Sequence, residues 1–261
     1  MMKGIKILIW VMAGIIIAFL FIPIVNLFIE VGFNGIAKAM ADKAAMAAIA
    51  TSFIAALFAT LLSMAFGTPL AYLLARKNFY GKSFVESIVD LPVVIPHTVA
   101  GIALLLVLGR HGLLGQPLSY LGLRLTDTIF GVTLAMLFVS APFFINQARE
   151  GFERVDPRME NVAMSLGASR LKAVMTTTLP ISMRSIVTGA IMAWARSISE
   201  FGAVIIIAYF PMVAPTYIYS QYVERGVDYA AAPAALLLLI CIAIFILLRL
   251  WAMRWRLYDK D

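Results

Sequence analysis

The sequence predicts an all-α membrane protein with six transmembrane helices, and two observations carry that prediction. First, 62% of the 261 residues are hydrophobic, 13% are charged and the mean hydropathy is +0.95, which excludes an ordinary soluble domain. Second, six runs reach the ~20 mostly apolar residues that a bilayer-crossing helix requires. They are Ile7 to Ile29, Met46 to Ala75, Val85 to Gly109, Ile129 to Ala148, Ser185 to Phe210 and Ala231 to Met253.

The first run follows Lys3 and Lys6, as a secretory signal would. Its apolar stretch exceeds the ~7–15 residues of a signal core, so residues 1–30 read as a retained anchor ahead of one larger domain, residues 31–261. The single cysteine, Cys241, lies in the last run and reads as a small buried hydrophobe, so no intrachain disulfide is available. The net charge of +7 is spread between apolar runs instead of gathering in a patch, which favours membrane orientation over nucleic acid as its explanation. With the N-terminus inside, fifteen lysines and arginines, from Lys3 to Arg249, Arg254, Arg256 and Lys260, fall on the cytoplasmic side. Only Lys38, Lys43, Arg110, Arg124 and Arg225 fall outside. Both termini and the polar connector 150–184 are then cytoplasmic. Segments Glu30 to Ala45, Arg110 to Thr128 and Pro211 to Tyr229 face outward. The last carries Tyr217, Tyr219, Tyr222, Glu224, Arg225 and Asp228, either an interfacial aromatic belt or a platform for an external protein. No internal repeat is visible, which argues against a carrier built on inverted repeats.

Two spanning runs hold costly features. The third contains Asp90 and two prolines, Pro92 and Pro96, that open the hydrogen-bond ladder, making either a pore wall or a static kink. His97 follows; a lone histidine of this kind reads as a hydrogen-bonded structural group, and no metal site is expected. The fifth contains Arg196 and Glu200, four residues apart on one helical face and able to neutralise each other, with Ser197 and Ser199 beside them. Asp90 is a second candidate partner for Arg196. The pair is either structural or part of a gate.

The connector 150–184 has its own helical punctuation. Asp156 can cap a helix begun by Pro157, Gly167 can end it, Ser169 can cap a second helix, and Pro180 is expected to stop that one. Met159, Val162, Ala163 and Leu166 recur at helical spacing, with Glu160, Asn161 and Ser165 expected to face away. Such a knob either lies on lipid headgroups or docks on a partner.

Its residues resemble the cytoplasmic EAA loop of ABC-importer permeases, with Ala163, Gly167 and Leu179-Pro180 at the pattern's spacing. Asn161 stands at the glutamate position, Glu160 one residue early, and Val162 replaces the first alanine. Asp90-Leu-Pro-Val-Val-Ile-Pro-His-Thr-Val-Ala-Gly, Gly109-Arg-His-Gly-Leu-Leu-Gly and Ser199-Glu-Phe-Gly-Ala are similar to molybdate/tungstate permeases and their sulfate relatives. The resemblance implies a type I ABC importer permease fold in the cell membrane. It implies a non-catalytic subunit, paired with a second copy of itself, two ABC ATPase subunits that bind ATP and Mg, and an extracytoplasmic oxyanion-binding protein. The chain itself carries no phosphate-cradling Gly-x-x-x-x-Gly-Lys-Ser/Thr motif and is expected to bind no cofactor. ATPase coupling is implied for Glu160, Asn161, Ala163, Ser165, Gly167, Ala168 and Ser169. The pathway or gate candidates are Asp90, Pro92, Pro96, Thr98, Ser140, Asn146, Arg196, Ser197, Ser199 and Glu200, because a dianion's path needs small residues and neutral donors without tight affinity. The alternatives are a sulfate importer permease and an ion-coupled carrier without an ATPase, in which Asp90, Arg196 and Glu200 form a relay. A membrane hydrolase lacks a nucleophile, base and orienter at useful spacing.

Overall fold

The computed structural model describes residues 2–254, with side chains for residues 5–248. The side chains of Lys3, Arg249, Arg254, Arg256 and Lys260, which enter the charge count, lie outside the described residues. Helices account for all regular structure among the described residues. They are α1 (Met2–Ala41), α2 (Lys43–Arg76), α3 (Lys82–Val94), α4 (His97–Leu108), α5 (Gly115–Tyr120), α6 (Ile129–Glu153), α7 (Pro157–Ser165), α8 (Arg170–Ala173), a π-helical segment (Val174–Thr178), α9 (Leu179–Ile198), α10 (Gly202–Ile207), α11 (Ala214–Arg225) and α12 (Val227–Arg254). Four of these are long and apolar enough to cross a membrane: Ile5–Ala41, Lys43–Arg76, Ile129–Glu153 and Val227–Leu248. The bent pair α3 and α4 makes five if counted as one span.

Three expected elements differ. The third run is broken once, with α3 and α4 bent by 114°. Ile95 precedes a proline and is driven to extended geometry (φ −69°, ψ 133°), so the break falls at Ile95-Pro96 while Pro92 stays inside α3. The fifth run is also interrupted, at residues 199–201, where the Glu200 carboxylate accepts a hydrogen bond from Ala203 N (2.8 Å) and starts a new helix. Pro180 does not stop the second helix of the connector. Leu179 N–H reaches Val174 O, five residues back, and this wider turn relieves the ladder just ahead of the proline ring, so helix continues from Arg170 to Ile198. The outward segments are more helical than expected as well: α1 runs to Ala41 across a kink at Gly32 (φ 59°), and α11 occupies most of 211–229.

Two compact units are distinguished. In the one made of Met1–Ala47 and Tyr217–Ile246, the Tyr217 hydroxyl donates to Asp42 Oδ2 at 2.5 Å. That bond holds the Asp42 carboxyl below its usual range, while burial and the Asp42 charge push Tyr217 up to about 12.

The other unit is centred on Ala48–Thr216 and is organised by α6 against α9. A Cβ at Gly189 would lie 3.2 Å from the Phe144 carbonyl oxygen, so glycine there lets the two helices approach closely. Phe144, Ala148, Phe152, Leu74, Ile186 and Ala193 fill the resulting core. A second close approach joins α4 to α10, where a Cβ at Gly101 would lie 3.0 Å from the Ala203 backbone.

Replacing Phe144, which is wholly buried, by alanine is expected to remove about 3–5 kcal/mol of stability. Replacing Phe130, which is 65% exposed, should cost far less. Thermal inactivation of the detergent-solubilised protein measures both, and equal losses would contradict this placement of the core.

Candidate functional site

The connector forms a compact knob whose ends are capped as the sequence predicts. Asp156 Oδ1 accepts from Arg158 N (2.9 Å), Pro157 occupies the first turn of α7, and Ser169 Oγ accepts from Lys172 N (3.3 Å). Between them Gly167 adopts φ 91°, open to glycine without strain. Gly167 N and Ala168 N reach back to Met164 O and Ala163 O at 2.9 and 3.1 Å, closing the end of α7.

The apolar residues Met159, Val162 and Leu166 of α7 face outward, as a docking face requires, but Glu160, expected beside Asn161 and Ser165 on the polar face, is turned inward. Glu160 is 6% exposed, whereas Val162 is 60% and Leu166 84% exposed. Helical spacing groups residues on a face but does not say which face is inward. Here the carboxylate decides, because the chain supplies it with three donors. Thr178 Oγ1 donates to Oε1 at 2.5 Å, Arg76 Nε to the same oxygen at 3.1 Å, and the Tyr72 hydroxyl to Oε2 at 2.8 Å. Burial raises the Glu160 pKa, but the bonds from Thr178 and Tyr72 and the Arg76 charge outweigh it and hold the group below its usual range. Tyr72, Arg76 and Thr178 were missed from sequence. The available signal was the four-residue spacing of Tyr72 and Arg76, which puts two donors on one face at the end of α2. Met159, Leu171 and Met175 are exposed with Val162 and Leu166, so the knob presents apolar side chains outward. Asn161, Ser165 and Ser169 are exposed beside them, and Ala163 and Ala168 are half-buried.

The second group of predicted residues gathers where the two broken helices meet. The Arg196 and Glu200 pair forms, with Nη2 to Oε2 at 2.9 Å. Arg196 Nη2 also lies 2.7 Å from His97 Nε2, and Nη1 donates to Ser199 Oγ at 3.2 Å. A guanidinium can only donate, so the close nitrogen His97 Nε2 is the accepting partner, and His97 Nδ1 lies 3.6 Å from Glu200 Oε2. Asp90 is not the partner of Arg196: its carboxylate accepts instead from Asn146 Nδ2 at 2.6 Å, on α6. One turn away Glu86 binds Arg149 at 3.0 Å, so α3 is tied to α6 by two polar rungs. Thr98 and Ser199 are exposed; Ser140 and Ser197 are fully buried, each with an unpartnered hydroxyl. Pro96 caps α4, and Pro92 lines an apolar cleft of about 470 Å³ with Leu104, Leu134 and Phe138, a surface with nothing to offer an anion.

Residues 67–257 match the family described as "Binding-protein-dependent transport system inner membrane component". The chain is 40% identical over 240 residues to the "Molybdate/tungstate transport system permease protein WtpB" of Pyrococcus abyssi, covering 91% of this chain and 92% of that one. It is 33% identical over 211 residues to the "Probable sulfate transport system permease protein cysT" of Chlorokybus atmophyticus, covering 79% and 73%. Among solved structures it is similar in fold to a chain of a bacterial ABC transporter that imports the acidic polysaccharide alginate (TM-score 0.72, 19% identity, 95% of each chain). A second structure of a bacterial alginate ABC transporter, in complex with an alginate pentasaccharide-bound periplasmic protein, gives a TM-score of 0.71 at 20% identity, covering 96% and 93%. The matches span the knob and both helix breaks, and they establish that the chain belongs to the family of inner-membrane components of binding-protein-dependent transport systems.

Proposed function

We propose that this chain forms half of the translocation pathway of an ATP-driven importer for molybdate and tungstate, working as a homodimer with two ATPase subunits. The observation that carries the reading is the knob: an apolar face turned outward and a buried carboxylate binding it to the membrane helices. An apolar patch on a cytoplasmic projection is a docking surface for a protein groove. The molybdate/tungstate choice rests on similarity along 91% of the chain, and the sulfate alternative on a weaker match.

In this reading the chain crosses the membrane six times, with α3–α4 and α9–α10 each serving as one broken span and both termini in the cytoplasm. ATP and Mg are held by the ATPase partner, whose closure moves the docked knob. The motion passes along two routes. Tyr72 and Arg76 take it to α2, and Thr178 takes it through the π-helical segment to α9. A polar cleft of about 570 Å³, lined by Lys38, Asp42, Arg225 and Asp228 among others, serves as part of the platform for the oxyanion-binding protein. An ion-coupled carrier would have no use for the outward apolar face of the knob.

The reading is tested by reconstituting the permease, its ATPase and its oxyanion-binding protein in liposomes. ATP-dependent uptake of labelled molybdate, competed by tungstate more effectively than by sulfate, is expected; uptake without ATP would sink the importer assignment.

Leu166→Asp puts a charge on the exposed apolar face without touching the core. It should leave the permease in the membrane while co-purification of the ATPase falls at least tenfold, the loss that ~1.4 kcal/mol produces. Unchanged co-purification would remove the docking role.

Glu160→Ala leaves the buried Arg76 without its counter-ion, and breaking such a pair costs about 3–5 kcal/mol. Because the native pKa of Glu160 lies below the unfolded one, its stabilisation is fully present above the ordinary carboxylate range and is lost as pH falls through the native value. Wild-type coupling should therefore fail only on acidification below the ordinary carboxylate range, while Glu160→Ala should fail at neutral pH. Transport per ATP hydrolysed across this pH range is the measurement.

A further inference from the structure

The importer reading leaves open where the cargo is held as it crosses, and this inference rests on that reading. The two helix breaks come together at Gly202, where a Cβ would lie 2.8 Å from His97 Cβ. His97 and Arg196 each fall near the middle of an expected spanning run, so their polar groups lie at depth instead of at a headgroup layer. An ionisable residue at that depth is expensive and is retained for a task.

Arg196 differs from the other arginines of the spanning helices. Arg76 is bound to Glu160 and Arg149 to Glu86, both at the knob end of their helices, and Arg184 lies toward that end of α9. Arg196 alone of these four sits next to a helix break. Its guanidinium is only partly used: Nη2 serves Glu200 and His97, Nη1 serves Ser199, and Nε has no partner among the described residues. Its side chain remains 20% exposed and that of His97 40%. Around this opening Thr98 and Ser199 are exposed, so the accessible groups are a guanidinium, an imidazole and two hydroxyls. The carboxylate lies behind them. Glu200 is 1% exposed and is anchored by Ala203 N as well as by Arg196.

From this arrangement we propose that Arg196, with His97, Thr98 and Ser199, forms a transit site for a tetrahedral dianion, and that Glu200 keeps the site weak. A bare arginine at depth would hold a dianion too firmly for it to leave, whereas a fixed internal carboxylate cancels the net charge and leaves only oriented donors. The start of α4 at His97 places the positive end of a helix at the same spot. Arg196 thus recognises charge and geometry, and Glu200 sets the rate of release.

Thiol labelling in the intact permease and ATPase complex tests the site. In a Cys241→Ala chain, Thr98→Cys is treated with methanethiosulfonate reagents of similar size carrying either a sulfonate or a quaternary ammonium. The anionic reagent is expected to react about threefold or more faster than the cationic one, after correction for their rates with a free thiol, since the guanidinium is the exposed member of the pair and the Glu200 carboxylate is buried. Millimolar molybdate should slow the reaction, and adding Arg196→Gln, which leaves the Glu200 carboxylate without its counter-ion, should remove both the preference for the anionic reagent and the protection. Ser199→Cys provides a second position, and the same pattern is expected there if Thr98→Cys fails to insert. A cationic reagent that reacts as fast as the anionic one, or labelling indifferent to molybdate, overturns the proposal. Failure of the importer reading would be seen separately, as absent ATP-driven uptake by the parent complex, because the labelling ratio depends only on the charge at the helix break.

Discussion

One buried carboxylate organises the knob of this protein. Glu160 gathers a hydroxyl from the π-helical segment, a phenol and a guanidinium from α2, and so decides which side of α7 is inside. A charge with fewer donors could not be buried at acceptable cost, and the helix would have turned its apolar face inward as amphipathic helices usually do. The outward apolar surface is therefore the complement of a satisfied ion pair within the chain.

Much of this was legible from the sequence, for reasons that differ by element. Six apolar runs mark where helices lie, because length and hydropathy are local properties. Asp156, Gly167 and Ser169 announce the limits of α7 and α8, because caps act within a turn. The pairing of Arg196 with Glu200 follows from a four-residue spacing. What could not be read depends on partners far along the chain. Asp90 binds Asn146, 56 residues away, and Glu160 binds Arg76, 84 residues away, and no local pattern reports such distances. The burial of Glu160 was missed for that reason. Pro180 was misread for another: a proline signals a stop only where the preceding turn is tight, and the wider turn at 174–178 removes the conflict.

The bent helix pair Lys82–Val94 and His97–Leu108 gains meaning from what holds each half. Its first half is fastened to α6 by the Glu86 and Asp90 bonds, and its second half lies against α10 through Gly101. The Ile95-Pro96 junction therefore separates two differently anchored pieces. Two such junctions facing each other, with charges that are satisfied locally, give irregular backbone a place in a membrane protein without leaving it open to lipid.

The π-helical segment carries an implication for how this region can change over evolutionary time. A helix advances 100° per residue, so the wide turn at Val174–Thr178 sets the angular phase between Ser169 at one end and the helix-break residues at the other. Deleting a single residue from the regular helix that follows it would rotate the whole projection by roughly a quarter turn. Glu160 would swing away from Tyr72 and Arg76. Point substitutions in this stretch leave the phase intact, whereas a one-codon deletion would not, so chain length between residues 169 and 196 is under tighter constraint than the identity of most side chains within it.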